Sequence, residues 1–369
     1  FFLIIISFSF SFESNFSLES KYGNGDEIKE LSSQVTPYSY NEHIFDMNFY
    51  FNNGIYFYGQ LEYSKPPVFG KEFSGLNNFY IEYDKEKVKI KLGDVYTLYG
   101  RGLSVNMIED EVIDYDNSIR GLELNYYLND SFNLFAIAGE KQFDWRSLPN
   151  EREANLTLLN TVYIIGGEKY TESCGSFHYL YLKQNSEIDF DNKDYNFSVL
   201  DPGLSSNTDK DLLIADEHNI SWENTYFETD IYLESSYSNY NTIFKEELSG
   251  SKFYASIYRD FFGFGITYEY KRYLMKDYIK VLSNPPIGYR ESNSTLASRN
   301  THSINWEDEV GHQFDVNRYF NDMLSIEMNF SLAHEHTEDT KLSIIDFLQY
   351  SKDSYITSPF RQFYIGLSG

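Results

Sequence analysis

Apolar and polar residues alternate with a period of two along most of the chain. Phe45, Met47, Phe49 and Phe51 fall on one side of an extended segment, with Asp46, Asn48 and Tyr50 on the other. Successive side chains of a strand point to opposite faces, so this pattern predicts a ribbon with one apolar and one polar face. Asn52-Asn53-Gly54 follows, and such residues tolerate the positive φ of a tight turn. Ile55, Phe57, Gly59, Leu61 and Tyr63 then alternate with Tyr56, Tyr58, Gln60 and Glu62, which completes a hairpin. The same alternation recurs around Phe79–Tyr83, Val88–Leu92, Phe227–Leu233, Phe264–Tyr270 and Leu324–Leu332, and helical spacing is hard to find. Segment 131–140 is apolar on both faces and stays ambiguous.

Sixteen strands are expected, at 12–22, 42–52, 55–63, 77–84, 87–97, 118–128, 131–142, 155–165, 174–183, 213–222, 225–237, 251–260, 263–274, 302–319, 323–336 and 358–369. Their connections alternate between long ones, beginning with 23–41, and short ones such as 53–54, 85–86, 129–130, 223–224 and 261–262. A globular sandwich has no reason to gather every long connection at one end. A membrane-spanning barrel does, with tight periplasmic turns and long outer loops. The expected fold is therefore an all-β antiparallel transmembrane barrel of about sixteen strands. Aromatic residues at 18% fit the same picture, because Tyr, Phe and Trp form girdles at both membrane interfaces.

In such a barrel the apolar face meets lipid and the polar face lines the lumen. The lumen-lining candidates are then Asp46, Tyr56, Tyr58, Glu62, Glu82, Lys87, Lys89, Lys91, Glu228, Asp230, Glu234, Glu269 and Glu327, with Glu123, Tyr80, Tyr226 and Tyr232 on the same side. Acid outnumbers base, and a lumen of that character favours cationic or neutral solutes over anions. The alternative for each residue is a structural pairing across strands. The chain as a whole carries a net charge of −26, which argues against a nucleic-acid partner.

Candidate chemistry is sparse. A single cysteine, Cys174, excludes a disulfide framework. There is no G-x-S-x-G, no P-loop and no H-E-x-x-H, so no catalytic residue is assigned and no enzyme is expected. His334-Glu335-His336 puts two imidazoles on one strand face, and a two-residue turn at Asn321-Asp322 would set Glu309 opposite His334. A solvated charge pair is the simpler reading, and no metal or cofactor is assigned. Asp189–Asp194 begins like a calcium loop but lacks the glycine at its sixth position. Ser176 and His178 share a strand face, which alone defines no nucleophile. The expected partners are outer-membrane lipid and lipopolysaccharide, small solutes, and divalent cations at acidic outer loops.

One stretch is distinctive. It contains Gly93-Asp94-Val95-Tyr96, then Gly100-Arg101-Gly102-Leu103, then Asp116-Asn117-Ser118-Ile119-Arg120-Gly121. Asp94, Arg101, Asp116 and Arg120 are expected to form a charge cluster that folds this loop inward or pins it outside. The signature resembles that of an uncharacterised, porin-like family of Gram-negative outer-membrane barrels of unknown function. The resemblance implies the barrel fold and an outer-membrane location, carries no activity across, and implies that members run longer than this chain.

Residues 1–11, which open Phe1-Phe2-Leu3-Ile4-Ile5-Ile6, are expected to be the remnant of a signal peptide, with the barrel domain at 12–369, and the strand-like run at 363–369 raises the expectation of a truncated C-terminus. The functional expectation is a porin-like channel or passive transporter. The alternative is a structural or interaction barrel of a surface or secretion assembly.

Overall fold

The computed structural model describes residues 12–29, 34–68, 72–110, 115–143, 157–189, 211–241, 246–276, 282, 308–321, 324–335 and 360–368. The segment 1–11 assigned to a signal peptide lies outside them. In chain order the strands are β1 (Phe12–Lys29), β2 (Gln34–Phe51), β3 (Ile55–Ser64), β4 (Phe73–Lys85), β5 (Val88–Val95), β6 (Leu98–Tyr99), β7 (Val105–Asn106), β8 (Glu109–Asp110), β9 (Tyr115–Asp116) and β10 (Ile119–Asn129). They continue with β11 (Phe132–Phe143), β12 (Thr157–Thr171), β13 (Gly175–Asp189), β14 (Asp211–Tyr226), β15 (Thr229–Asn241), β16 (Glu247–Phe261), β17 (Phe264–Leu274), β18 (Asp308–Asn321), β19 (Leu324–His334) and β20 (Phe360–Ser368). Sixteen of them form one sheet in which each strand pairs antiparallel with the next in order. The four short strands β6–β9 interrupt that order between β5 and β10 and make two small ladders of their own.

Burial is inverted relative to a water-soluble protein. Leu92 is 55% and Ile165 61% exposed, whereas Glu217, Glu234 and Lys271 on the opposite face are 1% exposed. Polar side chains are inside and apolar ones outside, as hydrocarbon around the sheet requires. The sheet also wraps. Tyr99 stacks on Phe135 of β11, and Leu103 clusters with Tyr232, Tyr254 and Tyr273 on β15, β16 and β17. Four residues reach at most ~14 Å. In a flat sheet β11 and β17 would stand about 29 Å apart. The sheet therefore curls round the β5–β10 connection, and the fold is an antiparallel transmembrane β-barrel. Among the described residues β1 and β20 are its two edges. The ambiguous segment becomes β11, with Phe135 and Ile137 buried inward and Leu134 exposed outward.

The short turns gather at one end, where Tyr226, Phe227, Phe261, Phe262, Tyr319 and Phe320 are all exposed, an aromatic girdle at the membrane boundary. Three expectations change here. Phe227 and Glu228, at φ 49° and 58°, form the β14–β15 turn in place of residues 223–224. Consecutive positive φ values match the twist of a two-residue hairpin even without glycine. Glu228 is thus an exposed turn residue, and Tyr226 moves to the outer face. Lys87 likewise sits in the β4–β5 turn, exposed. The long connection expected at 23–41 is ladder instead: β1 and β2 pair through Lys29 and Gln34, so the hairpin runs on well past the expected strand ends.

Ile165→Arg places a charge on the lipid face. It is expected to destabilise the barrel by about 2–4 kcal/mol in urea titrations from phospholipid vesicles. No loss of stability would show that this face meets water.

Candidate functional site

Within the connection between β5 and β10, residues 96–110 and 115–118 are held at three levels. At its stem, Asp94 and Arg120 face each other on β5 and β10, with Nε–Oδ1 at 2.8 Å and Nη2–Oδ2 at 3.0 Å. Asp94 also accepts the Phe79 amide at 2.8 Å, and the guanidinium lies 4.8 Å from the centre of the Phe79 ring. Asn117 clasps the middle: its Oδ1 accepts the Ile108 amide at 2.5 Å and its Nδ2 donates to the Asn106 carbonyl at 2.8 Å. Asp116 accepts the Ser118 amide at 2.7 Å and the Tyr96 hydroxyl at 3.4 Å. Burial first, and then the Asp116 and Glu109 carboxylates, hold the Tyr96 hydroxyl well above the ordinary phenol range, so it stays neutral.

The tip is latched to the far wall. Gly100 has φ +60°, and a Cβ there would lie 2.7 Å from both Glu234 Oε2 and the Tyr232 hydroxyl, so only glycine lets the backbone approach. The Arg101 amide donates to Glu234 Oε2 at 2.7 Å, and the Tyr232 hydroxyl donates to the same oxygen at 2.6 Å. Asn219 Nδ2 donates to Glu234 Oε1 at 2.8 Å and to Ser104 Oγ at 2.9 Å. The Ser104 hydroxyl donates to Glu217, and Lys252 Nζ sits 2.9 Å from Glu217 Oε1 while donating to the Leu103 carbonyl. The Arg101 guanidinium lies 5.0 Å from the Tyr232 ring centre. Below the tip, Tyr99, Val105 and Met107 pack on inward apolar residues of β11–β14, including Ile137, Val162, Ile164 and Leu180.

The expected four-member charge cluster is thus divided. Asp94 and Arg120 pair directly, Asp116 caps the returning backbone within electrostatic reach of Arg120, and Arg101 crosses to β15. Glu217, Asn219 and Lys252, which hold the tip, are not among the expected site residues. Their inward orientation follows from alternation, but their partners lie more than a hundred residues away.

The remaining candidates lie on the polar face. Asp46 accepts the Tyr58 hydroxyl at 2.9 Å and Gln60 Nε2 at 3.1 Å. Glu82 holds Lys89 at 3.0 Å and Lys91 at 3.6 Å. Glu62 accepts the Ser64 hydroxyl at 2.7 Å, Glu269 the Tyr254 hydroxyl at 2.5 Å, and Asp230 the Thr225 hydroxyl at 2.6 Å beside the turn. Tyr56 donates to Asn48 at 2.6 Å, and Glu327 stands opposite Asn317. His334 faces Val310 and Glu309 falls on the opposite face, because β18 runs on to Asn321 and the ladder shifts register at Tyr319–Asn321. Glu309 instead pairs with Lys271 at 2.6 Å. His336 and residues 190–194 lie outside the described residues. His178 packs beside the stacked Tyr99–Phe135 pair, 5.4 Å from each ring.

Lys252→Met strands the Glu217 carboxylate, and breaking a buried pair costs about 3–5 kcal/mol. Limited trypsin digestion is expected to cut at Arg101 at least about tenfold faster in the variant, since local opening controls cleavage. An unchanged rate would show that the latch does not hold the tip.

Several solved structures resemble the chain. The OccK3 (OpdO) structure from Pseudomonas aeruginosa is 10% identical with a TM-score of 0.49, over 88% of this chain and 79% of that one. Pseudomonas aeruginosa OccK8 (OprE) is 13% identical with a TM-score of 0.46, over 88% and 84%. The Pseudomonas aeruginosa OccK2 (OpdF) complex with glucuronate is 10% identical with a TM-score of 0.46, over 90% and 81%. No curated protein matches. Residues 3–363, nearly the whole chain with its Gly-Arg-Gly loop and sixteen-stranded sheet, match a described family, and the protein belongs to the family of unknown function DUF6029.

Proposed function

We propose that the protein is an outer-membrane channel for the passive passage of small solutes, with segment 96–118 as its constriction. The observation that carries this reading is the latch of the loop tip onto β14–β16 across the interior. A loop that served only the outer surface has no need of buried carboxylates on the opposite wall. The reading requires no chemistry on the solute.

The loop fills the interior unevenly. Inward residues of β11–β17 are buried beneath it, including Ile164, Leu182, Glu217, Lys252 and Tyr273. On β2–β5 the inward Tyr56, Tyr58, Glu62, Tyr80, Glu82 and Lys91 keep partial solvent access. The solute path in this reading runs along that second wall. Asp46, Glu62 and Glu82 there outnumber Lys89 and Lys91, which disfavours anions. Outside, the apolar face takes outer-membrane lipid and lipopolysaccharide, and acidic outer loops attract divalent cations weakly.

In planar bilayers the protein is expected to give discrete conductance steps. Replacing residues 97–117 by a short Gly-Ser linker should raise the unit conductance at least about twofold, and a salt gradient should show cation preference. Equal conductance with and without the loop removes the constriction, anion preference removes the charge argument, and silence in both proteins identifies a sealed scaffold barrel.

A further inference from the structure

The solvated wall carries a feature that the constriction does not use. Tyr50, Tyr56, Tyr80 and Tyr58 form an unbroken run of rings on the inward face of β2, β3 and β4. Their centroids are 4.7 Å apart for Tyr50–Tyr56, 5.6 Å for Tyr56–Tyr80 and 5.3 Å for Tyr80–Tyr58. Two hydroxyls are tied back to the wall, Tyr56 to Asn48 at 2.6 Å and Tyr58 to Asp46 at 2.9 Å. These bonds fix the ring planes and direct the polar atoms along the wall. Tyr50, next to the β2–β3 turn, is 49% exposed, and the other three rings are partly exposed. Inward tyrosines on the opposite side differ: Tyr232, Tyr254 and Tyr273 are buried under the loop tip.

We propose that this tyrosine run is a binding track for neutral saccharides. The claim rests on the channel reading above for its role in passage, though not for binding itself. A pyranose ring offers a face of C–H groups to an aromatic ring and a rim of hydroxyls to neighbouring carboxylate and amide oxygens. Asp46, Asn48 and Glu82 supply that polar rim around the rings. An amphipathic surface with a few fixed polar groups is the usual make-up of a small-molecule site. The charges argue against an anionic occupant. Lys89 and Lys91 share Glu82, Lys91 also lies 4.5 Å from the Tyr80 ring centre, and Asp46 adds a further negative charge.

The test is calorimetric titration of maltohexaose into the full chain, purified in a detergent without a sugar headgroup. Binding is expected, weakened at least about tenfold by Tyr56→Leu with Tyr80→Leu and kept within about threefold by Tyr56→Phe, which retains the ring. If the double variant does not fold, Tyr50→Ala gives the same reading from a half-exposed ring. Absence of binding, binding indifferent to these substitutions, or preference for benzoate over the sugar each overturns the proposal. In bilayers, maltohexaose should interrupt the current. Steady steps with neither interruption nor binding sink the track and leave the channel standing. Tyrosine-dependent binding in a silent bilayer leaves the track and sinks the channel.

Discussion

Hydrocarbon cannot hydrogen-bond to a peptide group, and every other property of this molecule follows from meeting that constraint with strands. The fourteen strands between β1 and β20 each satisfy their backbone through a neighbour on either side in a continuous antiparallel order. Strand geometry then leaves two faces, and the surrounding solvent decides which is which. Leu92, Leu134, Ile165 and Ile220 are displayed outward, while Gln184, Glu217, Asn219 and Lys252 are enclosed. A barrel that encloses polar residues must also keep them satisfied, because a buried polar group without a partner is costly. The interior of this protein therefore has its own core, built from the wall and from one connection of the chain.

That core has two parts with different physics. Beneath the loop stem, Val105, Met107, Ile137, Val162 and Leu180 exclude water by ordinary apolar packing. At the tip, Glu217 and Glu234 receive amide, hydroxyl and ammonium donors from both loop and wall. Charge-assisted bonds of this kind are stronger and more directional than neutral ones. The apolar part sets how deep the loop lies, and the polar part sets where its tip stops. Along β2–β5 the inward Gln60 and Asn78 are buried, and Asn78 donates to Glu109 of the loop, while Tyr56, Tyr58, Tyr80, Glu82 and Lys91 keep partial access to water.

Much of the architecture was legible from alternation alone. Sixteen strands, their order and the sidedness of residues such as Glu62, Glu82 and Glu234 all depend on a local period of two, which a sequence displays directly. Turn positions were less legible. Glu223-Asn224 has better turn chemistry than Phe227-Glu228, yet the turn forms at the latter, where the aromatic ring reaches the membrane boundary. A shift of one residue likewise turned His334 away from Glu309. The latch was the least legible part. Arg101 stood out as a loop residue, but no local signal connects it to Glu234, because that contact depends on how the whole sheet curls. Asp94 and Arg120 meet because adjacent strands set them opposite each other.

The latch joins residues 101–104 to partners at 217, 219, 234 and 252. Its acceptors lie on strands that are synthesised well after the loop itself. The tip therefore has no seat until β14, β15 and β16 have zipped onto the growing sheet, and contacts of such long sequence separation form late. The nascent ribbon must carry Gly100, Arg101 and Gly102 undocked through most of its assembly. Docking of the tip is then among the last events of maturation, and a barrel with its interior less filled precedes the finished one.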